Sequence, residues 1–421
     1  REQPVHEKKF HPAWLMLIAC CFIQIGSIGT ISNAAGILIP AVLGDLGFSQ
    51  GSFTLYMTLQ GLCAVVGMPI AGKLLNKVNI RLLVSVGMIF TAGPFMLMSR
   101  FTEVWQWYIA GSVLGFASSF VFTLPTVLVI SNWFKKKTGQ AMGIAMACAG
   151  IGGAIMNPLG NFFIQQFGWR MTYFLMGAIA LVLVLPFTLL LVRAKPADMG
   201  TLAYGEEAGE SQESAAQQVL TGVPAKVALR SLSFVCIFLV AGCIAFCTAF
   251  IQLVPTFAGT VGLSAIAAFM ASAVMIGNIA GKLVLGWLND KLGPKRAALL
   301  GIAAVCASFL LLFLTALGPA AALVGAFLLG ISMSLIAVSM PLIVRSAYGS
   351  RDYSQIFYIV TMAPSLVGSL GMAAIGFMYD AFGSYNPILV VGIVCCGLAG
   401  LLLIVGLASA GRLSAQVEKT A

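Results

Sequence analysis

The chain has 421 residues, 60% of them hydrophobic and 9% charged, with a formal net charge of +10 and a mean hydropathy of +1.01. A water-soluble domain needs roughly a quarter of its residues charged to cover its surface, so composition excludes a soluble enzyme and a soluble nucleic-acid binder. Most of the surface must face lipid.

A span needs about 20 apolar residues to cross a hydrocarbon core roughly 30 Å thick. Twelve such runs follow in chain order, at 14–40, 51–72, 82–99, 105–130, 139–165, 170–192, 230–256, 264–288, 297–317, 320–343, 353–377 and 385–409. They are continuous rather than alternating, which specifies helices and not barrel strands. The first run follows "REQPVHEKKFHPAW" and is too long for the core of a signal peptide, so it is expected to be a retained helix. The sequence therefore predicts an all-α membrane protein with 12 transmembrane helices.

Of the 23 Lys and Arg residues, 20 fall at the two termini or in the connections between runs 2 and 3, 4 and 5, 6 and 7, 8 and 9, and 10 and 11. By the positive-inside rule both termini and these connections are cytoplasmic. The exceptions are Arg100, Arg170 and Lys282. All six tryptophans (14, 105, 107, 133, 169 and 287) stand at span ends, where indoles favour the headgroup level. The ten cysteines fall inside the runs without metal-ligand spacing to His6 or His11, and behave as small apolar residues. Neither metal nor cofactor is expected.

The polar stretch from about 193 to 226, containing "YGEEAGESQESAAQQ", has little to bury and is expected to be a mobile cytoplasmic linker. It separates an N-terminal six-helix bundle (1–192) from a C-terminal one (227–421). The halves echo each other in "GKLLNKVNIR" (Gly72 to Arg81) and "GWLNDKLGPKR" (Gly286 to Arg296). In both, a glycine is followed four residues later by Asn76 or Asp290 and then by Lys77 or Lys291. A small residue for close helix approach, a capping side chain and cations for the helix C-terminus and the headgroups make a tight cytoplasmic turn. Two similar bundles of six are transporter architecture. This layout with its repeated loop resembles the major facilitator superfamily. "NWFKKKTGQAMGIAMACAGIGG" (132–153), "KPADMGTLAYGEE" (195–207) and "GFMYDAFGSY" (376–385) resemble its monocarboxylate-porter and oxalate/formate-antiporter branch. The first loop copy departs from the family pattern, with Asn76 for Asp and Val78-Asn79 where glycine is common.

A transported molecule should bind near the bilayer midplane between the bundles. Run 1 carries Gly26, Gly29, Thr30, Asn33 and Gly36 at helical spacing, a face suited to close packing, with Thr30 and Asn33 as candidate site residues. Gln60 on run 2, Gln252 on run 7, and Tyr358 and Thr361 on run 11 join them. In run 5, "GIGGAIMNPLGN" is expected to hinge at Pro158. Lys282 stands apart, with Asn278 one turn away on the same face and no acid in the apolar interior of any run. It either snorkels to the headgroups or meets a mobile anion. In the resembled branch a cation on helix 8 anchors the substrate carboxylate, and the Gly-x-x-x-Asp-Lys end of the helix aligns Lys282 with it. Oxalate antiporters also place a lysine on helix 11, where this chain offers Thr361, so one carboxylate matches better than two. Export of cationic drugs lacks the acid it would need.

The expected function is secondary transport of small organic anions, in first place monocarboxylates, by a monomer in the inner or plasma membrane, through antiport or proton symport. Export of hydrophobic or amphipathic compounds is the other reading. Nothing suggests an enzyme.

Overall fold

A computed structural model of the chain describes residues 11–74, 78–134, 136–205, 222–315, 318–349 and 352–420. Asn76 and Lys77 lie outside the described residues. Without water to bond exposed N–H and C=O groups, a segment in lipid must satisfy its backbone internally, and the apolar runs are accordingly helical. The main helices are α1 (Ala13–Leu46), α2 (Gln50–Leu74), α3 (Ile80–Arg100), α4 (Val104–Ser118), α5 (Leu124–Trp133), α6 (Thr138–Leu190), α7 (Leu232–Thr260), α8 (Ser264–Leu292), α9 (Pro294–Phe313), α10 (Pro319–Tyr348), α11 (Tyr353–Phe382) and α12 (Asn386–Thr420). Ten of them are long and apolar enough to cross a membrane; α4 and α5 are too short individually.

The difference from twelve expected spans has two physical causes. Run 4 is divided by a turn at 119–123. Runs 5 and 6 are joined as α6, which leaves helical geometry at Gly168, where φ is 76° and ψ 165°. Gly26 of α1 lies against Ala180 and Val184, and Gly29, one turn on, lies against Ala149 and Gly152. Residues far apart along α6 thus flank the same part of α1, so the chain doubles back at Gly168. That left-handed angle suits glycine. Pro158, where a hinge was expected, lies within helical geometry in this structure.

Four interruptions fall in a paired pattern. In α1 a wide π-helical stretch, Ile25–Asn33, leads to a tight 3₁₀ turn, Ala35–Leu38, and the helix resumes with Pro40. In α7 a 3₁₀ turn, Phe250–Leu253, precedes a helix resuming with Pro255. The break after α4 precedes Pro125, and the π-helical Leu335–Ser339 in α10 precedes Pro341. In each case proline is the second residue of the resumed helix, where its fixed φ fits and its missing N–H costs nothing. The separation from Pro40 to Pro255 matches that from Pro125 to Pro341 within one residue, so the breaks repeat between the halves as the loops do.

The described ends of the linker are pinned at equivalent places. Tyr204 N donates to the Trp133 carbonyl at the end of α5 (2.8 Å), and Val223 N to the Tyr348 carbonyl at the end of α10 (2.9 Å). Three indoles depart from the headgroup expectation. Trp107, Trp133 and Trp169 are buried, whereas Trp105 and Trp287 are exposed. The Trp133 Nε1 donates to the Arg193 carbonyl and that of Trp169 to Asp45.

Gly72 and Gly286 were expected to let helices approach; among the described residues, no other helix comes within 4 Å of a Cβ built on either. Close approach is carried elsewhere: a Cβ on Gly277 of α8 would overlap the Phe327 carbonyl of α10. Gly277→Ala is therefore expected to destabilise by about 1–3 kcal/mol through overpacking, with Gly286→Ala within about 0.5 kcal/mol of the parent. Thermal unfolding of the purified protein in detergent compares the two.

Candidate substrate site

The two halves meet at the end that carries Asp45, Asp380 and Tyr385. Here the Asp380 carboxylate of α11 accepts from the backbone N–H groups of Gln50 (3.0 Å) and Gly51 (2.7 Å). These are unpaired donors of the first turn of α2, where the helix dipole also favours a negative charge. Tyr385 donates its hydroxyl to Gln50 Oε1 at 2.8 Å. Further along, Thr58 donates to the Ser369 carbonyl at 2.7 Å. On the other side of the interface, Gly150 and Gly153 of α6 receive Ile279 and Met275 of α8, and Ser272 donates to the Ala154 carbonyl at 2.9 Å. Between them Gln252 Nε2 of α7 donates to the Ser32 carbonyl of α1 at 2.9 Å.

A cavity of about 320 Å³ begins where the close contact of α2 and α11 ends, at Gly61 and Ser369, and extends along Ala64 and Met68. Gln60, Gln252, Ser32, Ser118, Ser119 and Thr123 supply its polar lining. The Gln60 carboxamide forms no hydrogen bond with the described residues, and Gln252 Oε1 is buried without a partner. Thr123 and the two serines lie at the break between α4 and α5. Sequence inspection missed them because hydroxyls inside an apolar run are ordinarily bonded within their own helix. Pro125 was the available signal.

The other candidates do not line this cavity. Thr30 donates to the Ile25 carbonyl of its own helix at 3.0 Å. Asn33 Nδ2 donates to Ala149 O at 3.0 Å, tying α1 to α6. Asn278 is buried and accepts from Ser334 of α10 through its carbonyl (2.7 Å) and Oδ1 (3.3 Å). Thr361 is half-buried and has a partner; the side chain of Tyr358 lies outside the described residues. In the loops, Arg81 Nε donates to the Val192 carbonyl at 2.9 Å, and its backbone N is capped by Asn79 at 3.0 Å. Asp290 and Arg296 are exposed, and the Lys291 ammonium sits 4.3 Å from the centre of the Trp287 ring.

Lys282 does not line the cavity. Its direction follows from helical geometry: Met275, Ile279 and Lys282, at i, i+4 and i+7, share one face of α8. Met275 and Ile279 are the residues that approach α6, while Leu283 (72% exposed), Val284 and Trp287 are turned outward to lipid. Gly277 and Gly281 face α10. Lys282 thus emerges toward α6, one turn beyond the point where the helices touch. It is half-buried and forms no ion pair with the described residues; the ion pair found among them joins Arg170 to Asp45.

Broken helices around a central cavity, closed at one end by contacts between two repeated halves, are a transporter's geometry. The family model described as Major Facilitator Superfamily matches residues 19–372. The chain belongs to that superfamily. Membership agrees with the multi-pass helical architecture described above. Probable transporter MCH2 from Saccharomyces cerevisiae is 28% identical over 148 residues, which is 34% of this chain and 31% of that protein. The chain thus spans only about a third of this relative. Monocarboxylate transporter 12 from Xenopus laevis is 23% identical over 423 residues, covering 93% of this chain and 89% of its own. In fold, the chain is similar to a bacterial homolog of the human lysosomal transporter Spinster, with a TM-score of 0.69 and 17% identity over 98% of this chain and 99% of that one.

For a superfamily transporter the Asp380 contact has a testable consequence. Asp380→Asn removes a charge-assisted cap and is expected to loosen the closed end. A cysteine introduced as Met57→Cys in a cysteine-free background should then react several-fold faster with an impermeant maleimide applied from the Asp380 side.

Proposed function

We propose that this chain carries a small organic anion, in first place a monocarboxylate, across a cell membrane by alternating access. The observation that supports this reading is Lys282, a lone cation in a membrane helix on the face turned toward α6. An ammonium held away from water without a counter-charge costs several kcal/mol. A substrate carboxylate in the cleft would offset that cost. Lysine offers a point charge and not a two-pronged fork, which suits one carboxylate. The names of the curated relatives, monocarboxylate transporters among them, agree with this substrate class.

In this reading twelve crossings form two bundles, residues 1–192 and 227–421, joined by 193–226, with the termini and the basic loops cytoplasmic. No described residue of another helix lies within 4 Å of a Cβ built on Gly286 at the basic end, and Asp380 caps α2 at the other, so the cleft would face the cytoplasm. Rocking would part α2 from α11, releasing the Asp380 cap, and bring the glycine loops together. Gln60 and Gln252 would bond the remainder of the substrate. Lys282 must return either neutral or paired with a second anion, which corresponds to proton symport or to exchange.

Uptake of labelled formate and lactate into proteoliposomes tests the proposal. Lys282→Gln should reduce it by about tenfold or more, the scale of a hydrogen bond to a charged group, and Lys282→Arg should restore part of it. Undiminished uptake by Lys282→Gln contradicts the role.

A further inference from the structure

Two cations away from the basic end, Arg100 and Arg170, have no part in the transport cycle described above. Arg170, at the start of the returning limb of α6, donates through Nη1 to the carbonyls of Ser99 (3.2 Å) and Phe101 (3.1 Å) at the end of α3. Its guanidinium carbon lies 4.3 Å from the centre of the Trp169 ring, and Nη2 is 3.9 Å from Asp45 Oδ2. That carboxylate oxygen also accepts from Trp169 Nε1 at 3.0 Å, so Asp45 neutralises Arg170 only in part. Arg100 closes α3, is exposed, and forms no hydrogen bond or ion pair with the described residues.

Ser99, Arg100, Arg170, Met171 and Phe174 line one surface cavity of about 320 Å³. Its apolar members are turned outward: Met171 is 48% exposed and Phe174 46%, with Leu97 of α3 59% exposed nearby along the helix. We propose that this cavity binds the headgroup of an anionic phospholipid, its phosphate between the two guanidinium groups and its acyl chains along Leu97, Met171 and Phe174. Guanidinium forks match phosphate oxygens in pairs. A soluble phosphate would leave the apolar wall in water, whereas a lipid covers it. An added ammonium, as in a zwitterionic headgroup, would meet Arg100, which has no acid partner. A single negative phosphodiester balances the net positive charge left by Arg100, Arg170 and Asp45. The bound lipid bridges α3 and the returning limb of α6 at the same end of the molecule that Asp380 seals.

Native mass spectrometry of the full chain with phosphatidylglycerol tests the site. Arg100→Gln is the informative variant, because Arg100 supports no internal contact whose loss would unfold the protein. It should weaken the tightest lipid-binding step about fivefold, the scale of one basic residue at a membrane surface. Lys295→Gln, which removes an exposed cation from the opposite end, should leave that step unchanged. Phosphatidylcholine should bind more weakly, and soluble glycerol phosphate should not displace the lipid. Equal phosphatidylglycerol affinity in the parent and Arg100→Gln overturns the proposal, as does an equal loss in Lys295→Gln. Displacement by glycerol phosphate at matching concentration would instead indicate a soluble phosphate site and also overturns it.

Discussion

Every backbone polar group in a membrane must find its partner within the protein, and the rest of this structure depends on that constraint. It makes all the apolar runs helical and allows the helix to fail only where other protein or a cavity covers the freed groups. The failures are few and paired: α1 with α7, and the α4–α5 break with α10. Each ends at a proline that cannot donate a hydrogen bond in any case. The strict rule for backbone thereby concentrates irregular structure, and with it exposed hydroxyls and amides, around the interior.

Charge obeys the same economy. The contacts that join the halves are mostly hydrogen bonds to backbone: Asp380 to two N–H groups, Thr58 to Ser369, Gln252 to Ser32, Ser272 to Ala154. Such contacts satisfy polar atoms without fixing a pair of opposite charges across the interface, and glycines at Gly51, Gly61, Gly150 and Gly376 let the helices lie close. An interface of this kind can part and re-form at modest cost. Lys282 lies one turn beyond it, where the helices separate.

Much of the fold was legible in the sequence because hydropathy records it directly: the apolar runs, the basic end and the duplicated loop all correspond to helices and their ends. The break at 119–123 was not, since serine and threonine are too weakly polar to interrupt an apolar window. The reversal at Gly168 was legible, since it falls between the end of run 5 at 165 and the start of run 6 at 170. Site residues were harder. Lys282 announced itself because an isolated charge in a membrane helix is costly whatever surrounds it. Asn33 and Asn278 looked equivalent to Gln60 and Gln252 in the sequence, yet the two asparagines tie helices together while the glutamines reach a cavity. That distinction depends on the partner across the interface, which no single segment encodes. Asp380 lies beyond the apolar interior of run 11, and that position is the reason it can cap α2.

The central claim is that the site recognises a negative charge. Its most direct measurement is the thermal stability of the purified parent protein with short carboxylic acids, each paired with its methyl ester or amide of nearly the same shape. A ligand bound to the folded state raises the melting temperature by mass action. The account predicts a rise with the acids that saturates with concentration, and none with their neutral counterparts. An equal rise with ester and acid would contradict it, because shape and not charge would then be what the cavity reads.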